Sequence, residues 1–468
     1  MVKNQEKIGV VIALGMNGEG IVKDEDYTIF VPFALPTEKI KYKVLKVSKK
    51  CVYGKLLEVL TPAEERVRVK CKAFTKCGGC QLQHLRYSSQ LSTKENNIKT
   101  CFSKIANLKV EVSSAVKGEC EYRYRNKLQL PVRQTETGAI LGFYAENSHR
   151  VIEIEDCEIN GYYVQSIIKA FKRYFRECSV KGYDEQNHSG DIREITVKEV
   201  GDKLIITVVT LSRNLPHKEE LLNILKEEIK QEFSLYQNVN SAVTNVIYGK
   251  DFILHYGKGE YQAEMFSIKY KVGVQSFMQV NTSVCHKLYS AVREGLKLNE
   301  NTTVIDAYSG AGLMTALLAQ KAKKAIGVEI IKEAVDIADK LALDNGLKDK
   351  ITNYCGKCEE LLPGIIKREK QENSDVAVVL DPPRKGVDIK VIKAILESDI
   401  DRIAYVSCLP SSLARDIGLL VGTLEEKDGE IKRVENPTLR YNIELIKPFD
   451  MFAQTKHVET LVVLSKIK

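Results

Sequence analysis

From about Asn301 the chain alternates apolar runs with helix-length segments, and that alternation leaves few folds open. The runs are "TVIDAYSGAG", "AIGVE", "ITNY", "VAVVLDPP" and "RIAYVSC". Parallel strands covered on both faces read as nearly continuous Val, Ile, Leu and Ala, and helices must carry their crossovers. The expectation for this half is a doubly wound, Rossmann-like α/β sheet.

The rest of the chain has other periods. Residues 1–60 hold five short runs, "KIGVVIAL", "GEGIVKD", "YTIFVPF", "KIKYKVLKV" and "VYGKLLEVL", separated by Gly, Asp and Pro. Five alternating strands of this length predict a small OB-like barrel, with "TPAEER" as a linker. Residues 67–270 read as a mixed α+β domain, with a helical period over 84–106 and a hairpin over 192–210. The third domain is then 271–468, and part of 84–115 is free to pack onto it.

No apolar stretch approaches the ~18 residues of a membrane span, and "MVKNQEKIGVVIAL" is too short an apolar region for a signal peptide. A cytoplasmic protein is expected, with no membrane contact and no obligate protein partner. Its 12 cysteines then read as reduced, for metal binding or catalysis rather than disulfides. The net charge of +8 is mild, but Lys39, Lys41, Lys43, Lys46, Lys49, Lys50 and Lys55 follow one another without a carboxylate. Such a run suits a polyanion, although a solvated lysine face has the same pattern. "EYRYRNKLQL" (121–130) interleaves tyrosines with basic residues, as a surface for unpaired bases and phosphates does. A strand with one basic face reads the same way.

"VIDAYSGAGLMT" places Asp306 at a strand end with Gly310 and Gly312 in the turn that follows. Glycines there let a nucleotide approach the backbone at the carboxyl edge of the sheet. Glu329, ending the next run, is placed to accept hydrogen bonds from ribose hydroxyls. A nicotinamide dinucleotide and S-adenosylmethionine (AdoMet) both fit, but Thr315 replaces the third glycine of the dinucleotide pattern. "DPPRKG" (381–386) then makes a rigid rim that a methyltransferase acting on a planar base can use. Cys408 in "YVSCLP" falls on the same edge. Carbon 5 of uracil is too weak a nucleophile to take a methyl group unaided, and a thiolate adding to carbon 6 activates it. A base must then remove the carbon 5 proton.

Cys71, Cys77 and Cys80 stand close in sequence, with Cys157 as a remote fourth. Three thiols in one loop plus one distant suit an iron–sulfur cubane better than the paired knuckles of a zinc ribbon; unliganded thiols are the third reading. Cys355-x2-Cys358 lacks a second pair and is set aside. Cys51, Cys101, Cys120, Cys178 and Cys285 are read as packing or surface thiols.

"DPPRKG", "VSCLP", "FMQVN" (277–281) and "TKHVETLVVLSK" (455–466) resemble the RNA uracil-5-methyltransferase family, in particular its bacterial 23S ribosomal RNA enzymes. The likeness covers nearly the whole chain, and the N-terminal barrel resembles that family's TRAM domain. It implies that Cys408 is the nucleophile and Glu459 the general base. It implies that Gln279, Tyr308, Glu329 and Asp381 line the AdoMet pocket, and that Cys71, Cys77, Cys80 and Cys157 hold a [4Fe–4S] cluster. The implied partner is RNA, with 23S ribosomal RNA favoured over transfer RNA. An RNA cytosine-5-methyltransferase is the nearest rival, but Arg384 stands where those enzymes place a second cysteine. A non-catalytic RNA-binding protein would have no use for the Asp381, Cys408 and Glu459 set.

Overall fold

The computed structural model describes every residue except 50, 373, 374, 399 and 468, so Lys50 of the lysine run lies outside the described residues. The chain divides into two compact units. One comprises Met1–Thr93, Cys120–Tyr261 and Phe452–Lys456, and the other Lys94–Glu119, Gln262–Met451 and His457–Lys468. Among the described residues no helix is long and apolar enough to cross a membrane.

In the first unit, strands Glu6–Leu14, Gly20–Asp24, Tyr27–Val31, Lys39–Val47 and Cys51–Thr61 close into a barrel. Alternation decides the two faces: Ile40, Tyr42 and Val44 are buried inside, while Lys39, Lys41 and Lys43 lie on the outer face. Lys41 pairs with Glu6 at 2.8 Å, so the run is not free of carboxylates once folded. The "TPAEER" segment is fastened down rather than acting as a linker. Glu38, fully buried, accepts from Leu35 N (2.8 Å), Ala63 N (3.2 Å) and Arg66 Nε (2.5 Å). Removing Arg66 would leave that carboxylate uncompensated, at a cost of ~3–5 kcal/mol.

The same unit holds a seven-stranded sheet ordered Asp251–Tyr256, Phe233–Val239, Lys203–Thr210, Ile192–Val200, Lys127–Thr135, Gly138–Tyr144 and Val151–Glu153. The expected hairpin pairs Lys203 with Val200. Helices Tyr163–Glu177 and Lys218–Glu228 bury Phe171, Ile167 and Leu221 against Leu128, Val197 and Ile206. The basic–aromatic stretch differs from its reading as one open surface. Only its end is strand, and the Arg123 guanidinium is held by Asp156 (2.6 Å) and Glu158 (3.2 Å). Lys70 covers the Tyr122 ring at 4.2 Å, and the Tyr124 hydroxyl donates to the Ala453 carbonyl at 3.0 Å.

The second unit is built on the Rossmann-like sheet. Its order is Ile351–Cys355, Lys324–Glu329, Thr303–Ala307, Val376–Leu380, Arg402–Ser407, Glu459–Lys466 and Tyr441–Phe449. The first five strands are parallel; Glu459–Lys466 runs against them, and Tyr441–Phe449 pairs antiparallel with it as the other arm of a hairpin. All of Val376–Leu380 is buried, as a central strand covered on both faces must be. The helix Tyr87–Lys104 sends Ile98, Cys101 and Phe102 into this core, so the C-terminal half of that helix belongs to the second unit.

Candidate active site

The strand order reverses between Thr303–Ala307 and Val376–Leu380, and such a switch point leaves a crevice at the carboxyl ends of the strands. Asp306 lies at one tip and Asp381 just past the other. The next strand ends at Ser407, and Pro410 opens the helix Pro410–Val421, where a missing N–H costs nothing. Cys408 is thereby fixed between a buried strand and a helix N-terminus. Arg402–Ser407 pairs antiparallel with Glu459–Lys466 in a register ending at Ser407 opposite Thr460. Cys408 and Glu459 are the residues next to that last pair, one following Ser407 and the other preceding Thr460. Two residues distant in sequence thus come to the same end of one ladder, close enough for the Glu459 charge to act on the Cys408 thiol.

The surroundings of these groups set their proton affinities. Glu459 is only 6% exposed. Burial, and then the charge of Asp381, push its carboxyl up to about 8 against the opposing pull of Arg384. Asp381 is pushed up to about 7 by the protein around it. Its surface stays accessible, however, so water offsets part of that effect and Glu459 is the more strongly perturbed of the two. The half-buried Cys408 thiol is raised by burial and by the Glu459 charge; Arg384, which hydrogen-bonds to it, pulls it back down. At neutral pH the resting site therefore holds a thiol and a carboxylic acid, with one guanidinium able to favour the thiolate.

The cofactor side is built by the turn after Thr303–Ala307. Tyr308 takes φ 67° and Gly310 φ 54°, and a Cβ on Gly310 would meet nothing within 4 Å. That open space above a left-handed glycine makes the turn a candidate cradle for a ligand. Glu329 accepts from Gly310 N (3.0 Å) and Ile331 N (2.9 Å), which locks its carboxylate beside the cradle. Thr315, in the place of the third glycine, donates to buried Asp306 at 2.6 Å. Burial still pushes Asp306 up to about 7, with the Asp381 and Glu329 charges adding to it. These groups suit AdoMet: a carboxylate for ribose hydroxyls and an open glycine turn beneath.

Gln279 is half-buried two residues before Asn281, whose side chain caps the helix Thr282–Gly295 through Val284 N at 3.3 Å. That helix also buries Cys285, in keeping with its reading as a packing thiol. Cys285, set aside as a packing thiol, is pushed up to about 12 by burial, with smaller effects from Asp381 and Glu459. The Tyr289 hydroxyl is its hydrogen-bond partner. Arg384, weighed in the sequence only as a missing cysteine, is the group overlooked; its place directly after Pro382-Pro383 was the available signal.

The Cys71, Cys77, Cys80 and Cys157 thiols lie within electrostatic reach of one another. Burial raises Cys71, Cys77 (to about 11) and Cys80, and the Cys157 charge adds to each. N–H donors from Gly79 (3.3 Å, to Cys77) and Asn160 (3.1 Å, to Cys157) point at sulfur, as around a thiolate-bound cluster. The donor chemistry fits iron and sulfide. The spacing is looser than a closed ligand set: among the described residues no three His, Cys, Asp or Glu side chains are grouped to hold a metal ion.

Comparison with known proteins bears on the whole chain. An uncharacterized RNA methyltransferase of Clostridium tetani is 38% identical over 457 residues, covering 97% of this chain and 95% of its own. One from Clostridium acetobutylicum is 36% identical over 471 residues, covering 99% and 98%. Among solved structures, Pyrococcus abyssi tRNA (uracil-54, C5)-methyltransferase in complex with S-adenosyl-L-homocysteine superposes with a TM-score of 0.75 at 24% identity. It covers 98% of this chain and all of its own, and so shares the fold from end to end. A family model described as tRNA (uracil-5-)-methyltransferase matches residues 86–467. The chain is an AdoMet-dependent RNA methyltransferase, and it belongs to the tRNA (uracil-5-)-methyltransferase family.

Proposed function

We propose that this protein methylates carbon 5 of a uridine in 23S ribosomal RNA, through a covalent bond between Cys408 and carbon 6. The observation that supports the reading is that Cys408 and Glu459 flank the last pair of one ladder, Ser407 with Thr460, and that Asp381 and Arg384 act on both. AdoMet supplies an electrophilic methyl group. The Cys408 thiolate, favoured by Arg384, bonds to carbon 6 and turns carbon 5 into the nucleophile. After methylation Glu459 takes the carbon 5 proton, the sulfur–carbon 6 bond breaks, and the thiolate leaves. Glu459 must shed its resting proton first. Once it has, its raised affinity makes it a stronger base than an exposed carboxylate. Glu329 and the Tyr308–Gly312 turn hold the donor, and Asp381 orients the base or the donor beside the thiol.

The test separates the two steps. Cys408→Ala is expected to form no covalent RNA adduct. Glu459→Gln is expected to accumulate methylated RNA bound to protein through denaturing electrophoresis, with labelled methyl groups in the protein band. Normal turnover by Glu459→Gln places the base elsewhere, and methylation by Cys408→Ala refutes the thiol mechanism.

The ribosomal target is tested by mass mapping of methylated uridines in ribosomal and transfer RNA from cells lacking the gene. The barrel does not choose between them, because a transfer-RNA enzyme shares the fold over its entire length. Loss confined to transfer RNA would overturn the ribosomal assignment. We further infer that Cys71, Cys77, Cys80 and Cys157 hold a [4Fe–4S] cluster with a structural role, since methyl transfer from AdoMet moves no net electrons. The protein is read as cytoplasmic, where its RNA substrate is made and assembled.

A further inference from the structure

The loop that carries Arg384 is fastened to the helix that starts just after Cys408. Asp416 on that helix is fully buried and accepts hydrogen bonds from Val387 N (2.9 Å) and the Tyr405 hydroxyl (2.5 Å). Arg415 pairs with the same carboxylate at 2.6 Å and donates to the Lys385 carbonyl at 3.0 Å. Gly386 lies inside this grip with φ 83°. A Cβ there would fall 2.4 Å from both Arg415 Nη2 and Asp416 Oδ2. That accounts for the glycine ending "DPPRKG": any side chain would force the loop off the helix.

We propose that Arg415 and Asp416 are positioning residues that clamp the 385–387 backbone to the Pro410–Val421 helix, so that Arg384 and Cys408 are held as one rigid body. The proposal deepens the reading of Cys408 as the nucleophile and rests on it. The physical need is plain. A guanidinium on an exposed loop loses side-chain and backbone entropy each time it meets the thiolate, and a clamped loop has lost most of it beforehand. The helix contributes at both ends of this arrangement. Its first turn fixes Cys408, and its second turn grips the loop. Tyr405, on the strand leading to Cys408, ties the same carboxylate to the sheet, so strand, helix and loop meet at Asp416. The apolar neighbours Leu413 and Ile417 are buried in the core and cannot shift without opening it.

The clamp is tested by the rate at which iodoacetamide alkylates Cys408 in the full-length protein, followed peptide by peptide by mass spectrometry. Exposed Cys120 and Cys355 serve as internal references. Arg384→Gln should slow Cys408 alkylation at fixed pH by on the order of tenfold, the effect of losing one nearby opposite charge. Arg415→Gln, a change at a partly exposed side chain, should produce most of the same slowing. Gly386→Ala should act in the same direction. The double variant Arg384→Gln/Arg415→Gln should be no slower than Arg384→Gln alone, because a residue acting through another adds nothing once its target is gone. Slowing that adds in the double variant, or a wild-type rate in Arg415→Gln, overturns the clamp. A wild-type rate in Arg384→Gln overturns the pairing on which the clamp acts. Failure of the thiol mechanism would show separately, as methylation by Cys408→Ala.

Discussion

Replacing Glu459 by Gln should stabilise the protein while blocking its reaction, and the size of the stabilisation should depend on pH. Glu459 is enclosed beside Asp381, and its carboxyl is raised from 4.5 to about 8. Between those values the folded protein holds a proton that the unfolded chain has released. The linkage sign follows from that difference. The wild type is least penalised below about pH 4.5 and loses ~1.4 kcal/mol per pH unit as the pH rises towards 8. From pH 6 to pH 8 the loss comes to ~2.3 kcal/mol, because the slope halves as the pH reaches 8. Glutamine does not titrate and escapes it. The stability gap between variant and wild type should therefore widen over that interval, moving the difference in Tm by about 5–10 °C for a domain of this size. Differential scanning calorimetry of both proteins at pH 6, 7 and 8 in the same salt measures it. Release of the adduct by wild type should accelerate over the same range, as Glu459 becomes able to accept a proton. A gap that stays constant from pH 6 to 8 would mean that Glu459 behaves as an ordinary exposed carboxylate, and the account of its basicity would fail.

Gly310→Ala places a methyl group in the open cradle at φ 54°; AdoMet affinity measured by titration calorimetry should fall about tenfold or more, from steric loss added to ~1–2 kcal/mol of backbone strain. Protein purified without air should be brown with about four irons per chain, following cubane stoichiometry, and Cys77→Ser should bleach it. A colourless preparation with about one zinc would replace the cluster by a ribbon-type site. Exchanging Lys43, Lys46 and Lys55 for Gln should lower the slope of log affinity for RNA against log salt by roughly 2, at ~0.7 for each single-strand phosphate left without its lysine. An unchanged slope would reduce the lysine run to a solvated face.

Local period was enough to read the elements. The alternation in "KIKYKVLKV" decides which side of the barrel holds Tyr42 and which holds lysines, because successive side chains on a strand must point oppositely. The unbroken apolar run "VAVVL" could only be a strand covered on both faces, and Val376–Leu380 is one. The glycines at 310 and 312 likewise marked the turn that follows a strand end, and both have positive φ there. Each of these depends on neighbours within a few residues, and that is the range over which sequence pattern speaks directly.

Tertiary structure alone decided what meets what. The terminal hairpin enters the sheet beside Arg402–Ser407, and its register, ending with Ser407 opposite Thr460, brings Glu459 to the same end of the ladder as Cys408. Spacing could not have selected that carboxylate, and in the sequence it was chosen by resemblance. Arg123 reads like Arg125 in "EYRYRNK", yet it is occupied by Asp156 and Glu158, residues a local pattern cannot pair with it. Cys285 is buried as a packing thiol should be, but only the folded chain sets it near Asp381 and Glu459. A side chain's chemistry is written in the sequence, but its proton affinity and its partners depend on burial and long-range pairing, which exist only once the chain has closed on itself.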